Sequence, residues 1–144
     1  MTGVVVETRK DPSHWLFKLT PDEWIRAAMK ELRSAEAAYR ANDAKAGLAS
    51  CRRGAGMALN AALIAEPNDA WKRTYVEHLE AVAKDKEVPA AVSGACRALL
   101  EAQPPGPNLV MLRSPALNVR LVEAARDVVA HAYAVVKRNE AKSN

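Results

Sequence analysis

The segment Arg126-Asp-Val-Val-Ala-His-Ala-Tyr133 places the side chains best suited to chemistry in an otherwise apolar stretch. An imidazole titrates near neutral pH, so His131 can give or take a proton. A guanidinium can hold a phosphate and offset charge developing on it, which suits Arg126. Tyr133 adds a donor or a hydroxyl open to modification. Asp127 stands four residues before His131, one helical turn away, where a carboxylate would favour the protonated ring. The set suits metal-free RNA cleavage, in which the 2′-hydroxyl attacks the adjacent phosphate. An Asp–His surface pair beside an exposed arginine is the plainer alternative.

Helical geometry limits how these groups can cooperate. Arg126 and Tyr133 are seven apart and share nearly one face, whereas Arg126 and His131 stand about 140° apart around the axis at 3.6 residues per turn. A site using both is easier to build where this helix meets a second chain.

Other candidates each have a structural alternative. Arg52 and Arg53, with Lys45, read from their types alone as a solvated helix face. Trp71-Lys72-Arg73 could stack a base, or Trp71 could anchor a helix start in the core. Asn60 in its apolar helix is a buried hydrogen-bonding residue or an interface residue. His14 and His78 have no partners at metal-ligand spacing, so no metal or other cofactor is expected. Cys51 and Cys96 form no CxxC pair and read as buried thiols. Gly47, Gly54 and Gly56 do not make a phosphate loop, because "GLASCRRGAG" lacks the closing Gly-Lys-Ser/Thr.

The elements that must position these residues are helices. With 144 residues, one domain is expected, and 49% hydrophobic residues suffice for one core. Alanine dominates that apolar set and aromatics are only 5%, which together with Leu, Arg, Lys and Glu points to an all-α fold. The net charge of +4 permits a polyanion without requiring one. Residues 1–19 lack helical signals and read as an arm, with "SHWLFKL" apolar enough to dock; residues 20–144 read as a single bundle. "MTGVVVETRK" has no apolar core of signal-peptide length and no long apolar run follows, so the cytoplasm, and no membrane contact, is expected.

Thr20-Pro-Asp-Glu23 predicts a capping box opening a helix to about Ala41, with Trp24, Ala28, Leu32, Ala35 and Tyr39 inward. A second helix spans about Ala44–Ala65. Its Gly54 and Gly56 cost about 1 kcal/mol each in a helix interior, so a close helix–helix approach is expected to offset them. A third spans about Ala70–Lys84, capped by Asn68 or Asp69, with Trp71, Tyr75, Leu79 and Val82 along one face. A short fourth runs from Pro89 to about Ala102. "QPPGPN" forbids a helix, and "LVML" is extended or a hydrophobic plug. Ser114-Pro115 then starts a last helix, about Ala116–Glu140, with Leu117, Leu121, Ala124, Val128, Ala132 and Val135 as its core stripe. The architecture expected is an antiparallel four-to-five-helix bundle.

On this framework Arg126, Asp127, His131 and Tyr133 resemble the arginine–four-residue–histidine motif of the HEPN superfamily (higher eukaryotes and prokaryotes nucleotide-binding domains). The family carries that motif near or in the last long helix of a helical bundle. The small-residue second helix and "YVEHLEAVAKD" are similar to its middle section, so the likeness covers roughly residues 20–141. The resemblance implies a homodimer whose two motifs face each other as one ribonuclease site, with Arg126 and His131 catalytic and Arg52 and Arg53, with Lys45, near its RNA groove. It further implies that Tyr133 can receive AMP from a partner nucleotidyltransferase antitoxin; Asp127 stands where the paired toxins often carry Asn. Other members bind a nucleotide or a partner protein without cutting RNA, which is the alternative expectation.

Overall fold

The computed structural model describes residues 15–103 and 115–143. These form five helices, α1 (Pro21–Arg40), α2 (Ala44–Ala65), α3 (Tyr75–Lys84), α4 (Ala90–Glu101) and α5 (Pro115–Ser143), with 3-10 turns at Trp15–Lys18 and Asp69–Trp71 and no strand among the described residues. The chain is an all-α bundle. No helix among the described residues is long and apolar enough to cross a membrane.

Each start follows from local chemistry. At α1 the Glu23 amide donates to Thr20 Oγ1 at 3.2 Å and the Thr20 amide donates to Glu23 Oε1 at 2.9 Å, with Pro21 at the first position. This is the capping box expected from the sequence, and it satisfies two amides that the first turn leaves orphaned. Asp43 caps α2 through the Ala46 amide. The third helix begins later than expected. Asn68 caps only the short turn Asp69–Trp71, and Lys72 then takes a positive φ of 55° that no helix accommodates. A second capping box, Thr74 with Glu77, opens α3 at Tyr75.

The α1–α2 hairpin packs on small side chains. Ala28 and Ala35 of α1 and Ala55 and Ala58 of α2 are fully buried. A Cβ on Gly54 would stand 3.2 Å from the Ala28 carbonyl and 3.1 Å from Leu32, so the missing side chain is what lets the two helices approach. Gly56 plays the same part toward α3, where the Tyr75 ring fills the space a Cβ would need. The glycine cost inferred from the sequence is offset as expected.

α5 closes the bundle against α2, α1 and α4. Ion pairs Arg126–Glu36 and Lys137–Asp22 set it antiparallel to α1. Leu121, Ala124, Val128, Ala132 and Val135 are buried as the stripe requires, but Leu117 is 38% exposed. The stripe therefore meets the core only from the second turn onward. At the other end of the chain, Leu16 is buried and its carbonyl accepts from Trp24 Nε1 at 2.9 Å, which docks the start of the described chain on α1. The arm residues 1–14, with His14, and residues 104–114, with "LVML" and Ser114, lie outside the described residues.

Candidate functional site

α5 carries the four motif residues to different surroundings. Arg126 turns toward α1: its Nη2 lies 3.0 Å from Glu36 Oε2, at the edge of a depression of about 290 Å³ that Tyr39, Arg40, Val119 and Glu123 also line. Tyr133, one heptad on, shares that side. It is 48% exposed, with the Lys137 ammonium 5.3 Å from its ring centroid. Lys137 itself pairs with Asp22 of α1 and Glu140.

His131 turns the other way. It is half-buried in a separate cleft of about 680 Å³ formed by the end of α2, the Asp69–Trp71 turn, the α3–α4 connection and α5. Glu66, Trp71, Asp85 and Arg138 share that cleft. Burial lowers the His131 pKa first, and the Arg138 charge lowers it further, against smaller opposing pulls from Glu66 and Asp85. The ring is therefore neutral at pH 7. Asp127 has no part in this. It is exposed, and no hydrogen bond or ion pair joins it to His131 among the described residues. The 140° separation read from the sequence is thus realised: one chain does not bring Arg126 and His131 together.

The two arginines of α2 are occupied. Arg52 donates from Nε to the Leu99 carbonyl at 2.7 Å, and from Nη2 to Leu100 at 3.2 Å and Ala102 at 2.7 Å. A cation on the last carbonyls of α4 satisfies acceptors that have no intrahelical donor and complements the negative end of the helix dipole. Arg53 pairs with Glu31 of α1 at 2.9 Å on the surface.

The remaining candidates resolve as core. Trp71 is buried, while Arg73 lies over the Trp15 ring at 5.8 Å. His78 is fully buried, with Nδ1 2.7 Å from the Trp71 carbonyl and Nε2 2.8 Å from Asn60 Oδ1. Asn60 is therefore an internal hydrogen-bonding residue. Cys51 and Cys96 are free and buried, and burial pushes their thiols up to about 11 and about 12, far from nucleophilic character at neutral pH. No group of three metal-ligating side chains exists among the described residues.

Sequence reasoning missed Glu66, Asp85 and Arg138 around His131. Glu66 ends α2 and accepts from Arg138 and Asn139, which hold its carboxyl down at about 2. Arg138 was findable, because it stands seven residues after His131 and so on the same side of α5. Glu66 and Asp85 reach the cleft only through tertiary packing. No family model, curated protein or solved structure matches the chain.

Proposed function

We propose that this chain is a HEPN-like helical domain that binds and does not cut: a non-catalytic module that pairs with a second copy of itself through the α1–α5 face. The observation carrying this reading is the position of α5 between Arg126 and His131. Phosphodiester cleavage needs a proton-transfer group and a phosphate holder within hydrogen-bond reach of one phosphate. Here the guanidinium already has Glu36, and the imidazole sits beside Glu66 and Asp85, which repel a phosphate.

The α1–α5 face has the composition of an interface. Met29 and Tyr133 are 42% and 48% exposed. Around them Arg26, Arg33 and Arg40 recur every seven residues along α1, and Arg126 stands across the seam on α5. Met, Tyr and Arg are the types enriched where proteins meet. Of the acids on that face, Glu36 and Asp22 are held within the chain by Arg126 and Lys137, and Glu123 is left to partner an arginine across a two-fold axis, where one patch must complement itself.

Sedimentation of the purified chain tests self-association, and incubation with a mixed-sequence RNA tests cleavage. A dimer is expected that Met29→Glu with Tyr133→Glu converts to monomer with unchanged helicity, and the RNA is expected to stay intact. A monomer at all concentrations ends the self-association reading. RNA degradation by the wild type that His131→Ala abolishes without unfolding would replace the proposal with a ribonuclease.

A further inference from the structure

The cleft that holds His131 has a chemistry of its own, independent of the α1–α5 face. Its lining is mixed, with buried Ala62 and Val135 and the more open Val88 and Ala134 as its apolar part. Its charges do not cancel. Glu66 and Arg138 neutralise each other, which leaves Asp85 and Glu87 on the rim with no ion pair among the described residues. Asp85 has one oxygen engaged by the Glu87 amide at 2.8 Å. Lys84 and Lys86 flank the same connection but do not line the cleft. His131 lies half-buried within it, has no hydrogen-bond partner among the described residues, and as a neutral ring can accept one.

We propose that this cleft is a binding slot for an organic cation carried on an aliphatic stem, either a lysine side chain of a peptide or a free diamine. An aliphatic stem matches the alanine and valine side chains of the lining, and an ammonium, which has three donors and no acceptor, matches two carboxylates and an imidazole acceptor. A volume of about 680 Å³ accommodates such a group with room for adjoining backbone or a second amine. The same charges exclude the obvious rivals. A phosphate would meet Asp85 and Glu87, and the described residues offer no three-ligand group for a metal ion.

Calorimetric titration of the full chain with 1,5-diaminopentane, with a short lysine-containing peptide, and with the same peptide acetylated on the lysine tests the slot. Saturable binding of the diamine, the unmodified peptide or both is expected. Asp85→Asn with Glu87→Gln should weaken it about tenfold or more, while the side-chain carbonyl introduced at position 85 still accepts the backbone amide of position 87. Binding by the diamine alone assigns a free amine, and binding by the peptide alone assigns a protein partner. Equal binding of the acetylated peptide, an unchanged affinity in the double variant, or no saturable binding by either cation overturns the proposal.

Discussion

Glu66 and Arg138 join α2 to α5 with two parallel hydrogen bonds: Nε and Nη2 of the guanidinium each reach the carboxylate at 2.8 Å, across 72 positions of chain. Asn139 adds a third donor at 2.7 Å. A bidentate pair fixes direction as well as distance. It holds the two helix ends in register and so sets one wall of the cleft around His131.

That pairing predicts a pH dependence. The Glu66 carboxyl is held at about 2, below its ordinary 4.5, chiefly by the Arg138 hydrogen bonds. A depressed carboxylate contributes stability that is fully present above its ordinary pKa and is lost as pH falls toward the folded value. Glu66→Gln should therefore be less stable than wild type at pH 7, and the two denaturation curves should converge as pH falls from about 4.5 to about 2. The side chains are 40% and 55% exposed, so the gap is small and shrinks in high salt. A gap of equal size at both ends of that pH range would show that the pair does not carry the effect.

Two glycines in helices should respond oppositely to alanine. At Gly56 a Cβ collides with the Tyr75 side chain, where α3 lies against α2. Forcing the two apart should cost about 1–3 kcal/mol. At Gly94 in α4 the nearest atom to a Cβ is an Arg97 guanidinium nitrogen 4.0 Å away, which is ordinary contact with a flexible tip. There the alanine keeps its lower unfolded-state entropy at no steric cost and should stabilise by about 0.5–1 kcal/mol. Urea denaturation of the two variants measures both signs; unchanged stability in Gly56→Ala would mean that α2 and α3 are not held so close, and a loss in Gly94→Ala would mean that the site in α4 is not open.

Whether an element was legible in the sequence depended on how local its cause was. The Thr20–Glu23 box and the α2 span from Ala44 to Ala65 are written in adjacent residues, and both stand as expected. Thr74-Tyr-Val-Glu77 is an equally local signal that follows Asn68 closely, and the choice between these competing caps is decided by the backbone turn at Lys72, which carries no signature of its own. For the candidate site, helical period alone placed Arg126 with Tyr133 and apart from His131. Glu66 and Asp85, which meet His131 in the cleft, follow the ends of α2 and α3, 65 and 46 positions before it, and no spacing rule links them to α5.

The buried imidazole of His78 makes the last prediction. Trp71 and Asn60 place an oxygen at each ring nitrogen, so both hydrogen bonds exist together only for the doubly protonated ring. A neutral ring needs the Asn60 amide turned over, which brings its otherwise unpartnered Nδ2–H to His78 Nε2. Burial lowers the His78 pKa below 6.5 and outweighs the opposing pulls of the Trp71 carbonyl and Glu77, so the neutral ring with the turned amide is the form at pH 7. Stability from a depressed histidine is present above the unfolded value and is lost as pH falls from 6.5 through the folded value. Wild type should therefore lose stability between about pH 7.5 and pH 5. His78→Ala should be less stable by about 3 kcal/mol at the upper pH, since it leaves a cavity and an unpaired buried Asn60, and its stability should fall less over the same interval. A variant that loses stability on acidification as steeply as wild type would place the titrating group elsewhere.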